Sequence, residues 1–199
     1  MACFAADHLI TDLPRFHSDV IFAAQVASEL NVLVAFGVPI KRADPGLGYI
    51  QAGEVLKTSD DNPARKVARF IEKPDMETAL RFAQDPDYFA NSGMFVWKAD
   101  KFLIEVEKHL PDMHAGLMRI ASSIGSPTEI KTIAEEFRIF ETISVDHGVM
   151  EKSDRVAMIP AGFGWNDIGS WDSLYDVWPK DESGNAAIGR TLTIDSSNS

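Results

Sequence analysis

Apolar positions along the chain follow two rhythms. From Leu13 to Leu30 they recur at Phe16, Val20, Ala23, Ala24 and Ala27, the spacing of one helix face, and predict a helix. Before it, residues 1 to 7 form a short apolar run that reads as a strand. After it, Asn31 to Val38 (NVLVAFGV) is a β-branched and apolar run, as in a strand buried on both faces, and would lie parallel to the first strand after a crossover. Together these make a β-α-β unit. Lys41 to Gly48 is rich in Gly, Pro and Asp and predicts a loop. It leads into GYIQAGEVL and, past the polar TSDDNPAR, into the alternating KVARFIEK; the pair reads as a hairpin or as adjacent strands.

Further along, Asp75 is placed to cap a helix over Met76 to Ala83, and YFANSGMFVWKA predicts a strand broken at Asn91-Ser92-Gly93. From Asp100 to Phe140 the rhythm is helical, with Phe102, Val106 and Leu110 on one face, then Leu117, Ile120, Ala121 and Ile124. Ser126-Pro127-Thr128-Glu129 has the composition of a helix start, with serine as cap and glutamate three residues on to close a capping box. RVAMIPAG reads as a strand, GFGWNDIGSW as a tight loop, Trp171 to Trp178 as a short helix, and GNAAIGRTLTIDSSNS as strands. Strands alternating with helices define an α/β fold, without internal repeats or a low-complexity linker.

Composition narrows the class. At 199 residues, with 45% hydrophobic and 25% charged residues, the chain is long enough for one substantial core. No window approaches the roughly 18 consecutive apolar residues of a membrane span, and a cytoplasmic protein is expected. The lone cysteine, Cys3, excludes an internal disulfide and reads as a small core hydrophobe. A net charge of -11 argues against nucleic-acid and anionic-membrane partners. An acidic chain that binds a small phosphorylated ligand needs an inward lysine, helix N-termini or a divalent cation held by carboxylates.

Four stretches place polar groups at strand ends or inside loops, where a rigid scaffold presents function: AADH (Ala5 to His8), FIEKP (Phe70 to Pro74), NSGMF (Asn91 to Phe95) and GWNDIGSW (Gly164 to Trp171). Singly, each has a plainer reading. Asp7 is a helix cap or turn residue, Asp167 a turn former, Glu72-Lys73 a solvated pair, and Asn91 a group that satisfies backbone at a strand break. His8 and His147 lack HxH or HExxH spacing, so structural roles are favoured over metal ligation.

Order and joint wording change the balance. AADH, AFGV (Ala35 to Val38), PGLGYI (Pro45 to Ile50), FIEKP, NSGMFVW (Asn91 to Trp97), SVDHGVMEK (Ser144 to Lys152) and WNDIGSW (Trp165 to Trp171) follow one another in the order of the motifs of the sugar-1-phosphate nucleotidylyltransferases. The chain resembles that family over nearly its whole length, and within it the guanylyltransferases that act on mannose-1-phosphate. The resemblance implies part of a Rossmann-like nucleotide-diphospho-sugar transferase domain: a mixed sheet flanked by helices, with residues 1–180 forming its sugar-phosphate half and 181–199 the start of a C-terminal β segment. It implies Mg²⁺ shared by Asp7 and Asp167, with Asp167 counted also as catalytic. Glu72 and Asn91 would contact sugar hydroxyls, Gly48 would let backbone approach the sugar, and Lys73 would hold the phosphate and take part in catalysis. The implied reaction is transfer of GMP from GTP to mannose-1-phosphate, giving GDP-mannose and pyrophosphate.

The departures set further expectations. The family opens with a strand, an arginine-bearing Gly-rich loop and a Pro-Lys pair that bind the nucleotide, whereas here no glycine precedes Gly37 and the only basic residue before it, histidines aside, is Arg15. An N-terminally truncated domain with little or no turnover of its own is expected, and truncated sheet edges suggest self-association. The family's KPT after the FG turn is replaced by Pro39-Ile40-Lys41, and the proline of PADH by Ala5. The alternatives are a nucleotidylyltransferase for another sugar-1-phosphate, and a non-catalytic sugar-phosphate-binding or regulatory subunit.

Overall fold

A computed structural model describes residues 1–59 and 62–199. Strand β1 (Ala2–Cys3) and β2 (Leu9–Ile10) precede helix α1 (Leu13–Leu30) and β3 (Leu33–Pro39). Then come β4 (Tyr49–Thr58), β5 (Pro63–Ile71), α2 (Met76–Ala83) and β6 (Tyr88–Val96). Helices α3 (Ala99–His109), α4 (Pro111–Ser123) and α5 (Glu129–Ile139) follow, then a π-helical turn (Asp146–Met150), β7 (Val156–Pro160), β8 (Trp165–Asn166) and α6 (Trp171–Val177). Six strands form a mixed sheet in the order β1-β6-β3-β7-β5-β4, and β4 pairs with β6 as well, so the sheet folds back on itself; β2 and β8 form a separate ribbon.

Burial on both faces explains the unbroken apolar run of β3. Val34, Phe36 and Val38 point into a core shared with Phe22, Ala23 and Val26 of α1, while Leu33 and Ala35 point into a second core with Phe95, Val106, Val149 and Met150. Helix α1 begins at Asp12, whose carboxylate accepts from the Arg15 N–H at 3.0 Å, and ends at Asn31 in the left-handed region (φ 54°). Helix α2 is capped as its sequence suggests, with Asp75 accepting from the Thr78 N–H at 2.7 Å.

Several expectations need correction. The first strand covers only Ala2–Cys3. Its register on β6 would next set Ala5 opposite Gly93, where β6 bulges with Gly93 in the left-handed region (φ 68°), so residues 4 to 8 leave the sheet. β1 and β3 do run parallel, because both are antiparallel to β6, but β6 lies between them. The expected break at Asn91-Ser92-Gly93 is thus a bulge inside a continuous strand. Ser126 does not cap α5. The helix starts at Glu129, whose carboxylate reaches back to the Gly125 N–H at 2.7 Å, while Ser126 Oγ accepts from the Thr128 N–H at 3.3 Å. The tail after Asp181 forms turns and bends, with one isolated bridge between Lys180 and Ala186, in place of strands. No helix among the described residues is long and apolar enough to cross a membrane.

Candidate active site

Two strand ends and the bulge of β6 come together beside a helical turn. Gly48 immediately precedes β4, and its carbonyl accepts from the Asn91 N–H of β6 at 2.8 Å. Glu72 follows the last residue of β5. A Cβ on Gly48 would stand within contact distance of Glu72 Oε2 and 3.2 Å from Asn91 Cβ, so the residue without a side chain leaves the room that these two groups border. Asp146 opens the π-helical turn, and its Oδ1 accepts from Asn91 Nδ2 at 2.9 Å. The other end of the Asn91 amide is also engaged, with Oδ1 accepting from the Gly93 N–H at 3.1 Å.

The pocket raises the proton affinity of both carboxyls. Glu72 lies above the usual carboxylate range, chiefly because it is buried and next because of the Asp146 charge, with Lys73 and His147 opposing. Asp146 is raised by burial, against its hydrogen bond from Asn91, a backbone hydrogen bond and the charges of His147 and Lys73. The Glu72 side chain is 11% exposed and the Lys73 side chain 63%, so the ammonium, 3.6 Å from Glu72 Oε1, stands on the solvent side of the buried carboxyl.

A second layer fixes this strand end. The Glu72 N–H donates to Glu151 Oε1 at 2.7 Å, and Glu151 Oε2 lies 3.0 Å from His147 Nδ1. Lys73 itself adopts φ 49°, a left-handed conformation that costs a non-glycine residue of order 1–3 kcal/mol. The Glu151 carboxylate accepts from the N–H of the residue before Lys73. The π-helical turn that supplies Asp146, His147 and the approach to Glu151 is a form found mostly at functional sites.

Asp7 and Asp167 flank the β2–β8 ribbon. Leu9 pairs with Asn166 and Ile10 with Trp165, so the continued register sets His8 opposite Asp167 and Asp7 opposite Ile168. Trp165 Nε1 donates to His8 Nδ1 at 3.0 Å, tying the two segments together. Phe163 anchors the ribbon, its ring lying edge-on to both Phe16 of α1 and Phe36 of β3. Asp7 is exposed in the bend before β2. Asp167 is half-buried and lines a cleft of about 790 Å³ with Leu47, Ala90 and Trp165. Leu47 and Ala90 each precede a residue of the Gly48–Asn91 site in the chain.

Sequence reasoning named Gly48, Glu72 and Asn91, which the structure brings together with Lys73 beside them, and Asp7 and Asp167, which it sets at one end of a ribbon. It did not single out Asp146 or Glu151, and it took His147 as structural. All three lie in SVDHGVMEK, where two acids and a histidine around the apolar Val149-Met150 were the available signal. Among the described residues no group of three or more His, Cys, Asp or Glu could hold a metal ion. Asp7 is exposed in the bend before β2 and Asp167 lines the cleft after β8, and neither belongs to such a group.

A mixed sheet flanked by helices, with acidic groups and a lysine gathered beside a cleft, defines an α/β protein. Residues 1–184 match the nucleotidyl transferase family, and the chain belongs to that family. It is 37% identical over its full length to a mannose-1-phosphate guanylyltransferase of Klebsiella pneumoniae, covering 42% of that protein. Over 97% of its length it is 36% identical to the alginate biosynthesis protein AlgA of Pseudomonas aeruginosa, covering 40% of it. The chain thus spans about two fifths of the length of these curated relatives. Among solved structures, one from Thermus thermophilus described as a mannose-1-phosphate geranyltransferase superposes with a TM-score of 0.76 at 28% identity, over 92% of this chain and 50% of that one.

Proposed function

We propose that the chain carries the sugar-phosphate side of a site that transfers GMP from GTP to mannose-1-phosphate. The observation behind this reading is the convergence of Glu72 and Asn91 on the space left open by Gly48, with Asp146 hydrogen-bonded to Asn91. Carboxyls are suited to sugar hydroxyls because each can accept two hydrogen bonds, and the missing Cβ lets the ring reach the backbone. Lys73, on the solvent side of Glu72, is suited to the 1-phosphate as a compact point charge. Asn91, with both ends of its amide occupied, acts on the sugar chiefly by aiming Asp146.

In the proposed reaction a phosphate oxygen of mannose-1-phosphate attacks the α-phosphorus of GTP. The new P–O bond forms as the bond from the α-phosphorus to the α–β bridging oxygen breaks, and pyrophosphate leaves with that electron pair. No protein nucleophile is needed; the residues align the two phosphates and offset their charge. Asp7 and Asp167 are proposed to hold Mg²⁺, which when bound supplies further neutralisation of phosphate charge. The 199-residue polypeptide is expected to bind the sugar phosphate.

Titration calorimetry of the polypeptide against mannose-1-phosphate and GTP, with and without Mg²⁺, tests the assignment. Saturable heat with mannose-1-phosphate and weak or no heat with GTP is expected. Equal binding of glucose-1-phosphate would move the reading to another sugar, and absence of binding to any sugar phosphate would remove it. Exposed Ile130, Phe137 and Ile139 on α5 support self-association, which light scattering reads directly.

A further inference from the structure

The cleft beside Asp167 contains two cations that the sugar pocket does not use. Lys41 and Arg42, in the loop between β3 and β4, line it together with Asp44, Asp167, Asp176 and Trp165. In a chain of net charge -11 such side chains would ordinarily be drawn into ion pairs, and three aspartates line the same cleft. Yet among the described residues neither forms a salt bridge. The one side-chain partner of Arg42 is neutral, with Nη2 donating to Ser173 Oγ at 3.4 Å, a long bond that leaves most of its five donors uncommitted.

From this placement we infer that Lys41 and Arg42 form an anion clamp for the phosphoryl groups of the ligand, a subsite separate from Lys73. The cleft's volume, about 790 Å³, is in the range that takes a small phosphorylated molecule. Its lining also includes Leu47 and Ala90, the chain neighbours of Gly48 and Asn91. The two cationic side chains are complementary in kind, since the arginine fork grips two oxygens of one phosphoryl group while the lysine adds a point charge. Ser173, at the start of α6, holds the guanidinium over the cleft while leaving its charge available. The inference rests on the proposed sugar-phosphate site for the identity of the ligand, but the clamp is defined by anion binding alone.

Two probes separate the two ideas. Calorimetry with inorganic pyrophosphate and with mannose-1-phosphate would compare the parent chain, Lys41→Ala/Arg42→Ala, and the charge-matched control Lys131→Ala/Arg138→Ala on α5. The cleft variant is expected to lose roughly ten- to hundredfold in affinity for both probes and to show a flatter salt dependence, with the control unchanged. Because both side chains are exposed, thermal unfolding should be unaffected. If pyrophosphate binding is lost in the cleft variant while mannose-1-phosphate binds no better than inorganic phosphate, the clamp stands and the sugar assignment falls. If the parent chain fails to bind pyrophosphate, or the cleft variant binds both probes like the parent, the clamp is overturned.

Discussion

The side-chain amide of Asn91 donates to the Asp146 carboxylate at 2.9 Å, joining a bulged strand to a π-helical turn 55 positions later in the chain. The bond holds a half-buried acid in one orientation beside Glu72, and the Gly93 N–H locks the same amide from its other side. Asn91→Ala would strip Asp146 of its principal donor. A hydrogen bond to a charged group contributes about 1.5–3 kcal/mol, so the variant should unfold several degrees earlier and lose mannose-1-phosphate affinity. Asn91→Asp should be worse, since it replaces a donor with a second negative charge. Thermal unfolding alongside calorimetry checks both, and an Asn91→Asp chain as stable as the parent would contradict the arrangement.

Gly48 gives a prediction of space. Its alanine variant would push a methyl group against Glu72 Oε2 and to 3.2 Å from Asn91 Cβ. Overpacking of this kind costs about 1–3 kcal/mol, and here it would also displace the carboxylate proposed to meet the sugar. Adding Glu72→Ala to Gly48→Ala should restore much of the stability by vacating the space, but not the ligand affinity. A double variant no more stable than Gly48→Ala would show that the clash lies elsewhere.

The parts of the fold that local chemistry dictates were legible: α1 from its apolar face, the α2 cap from Asp75, the β4–β5 hairpin from its alternation. The parts decided by distant partners were not. Whether Ala5 continues a strand depends on the bulge at Gly93, and whether Ser126 caps α5 depends on Glu129 preferring the Gly125 N–H. At the site, the motifs carried Gly48, Glu72, Lys73 and Asn91, whereas Asp146 and Glu151 matter through contacts with Asn91 and with the Glu72 backbone that no spacing reveals. Lys41 and Arg42 read only as loop residues until the fold set them over the cleft with Asp167.

The acid pair also predicts how stability responds to pH. Both Glu72 and Asp146 bind protons more tightly in the folded state than in the unfolded chain, chiefly through burial. Between the ordinary carboxylate range and the raised folded values, the native state therefore carries more protons than the unfolded one, and its stability falls as pH rises through that window. Asp146→Asn removes one charge while its side-chain oxygen can still accept from Asn91. It should raise the unfolding temperature at pH 7 by a few degrees at most and flatten the acid-side dependence, at the expense of ligand affinity. An unfolding temperature at pH 7 that drops in Asp146→Asn would reverse the sign of this argument.

Lys73 allows backbone and charge to be separated in one position. Its φ of 49° comes directly after the Glu72 N–H that donates to Glu151, and glycine adopts that conformation without steric cost. Lys73→Gly should therefore be at least as stable as the parent, and Lys73→Ala less stable than Lys73→Gly by about 1 kcal/mol. Neither variant keeps the ammonium, so both should lose mannose-1-phosphate affinity to a similar extent, while Lys73→Arg retains charge but moves it on a longer, planar head. Glu151→Ala, which frees the Glu72 N–H, should destabilise the parent more than it destabilises Lys73→Gly, because only the lysine needs its backbone restrained. Unfolding midpoints of the four single variants and of Glu151→Ala/Lys73→Gly provide the cycle. Equal losses from Glu151→Ala in the two backgrounds would mean that the carboxylate supports Glu72 alone and that the left-handed lysine needs no brace.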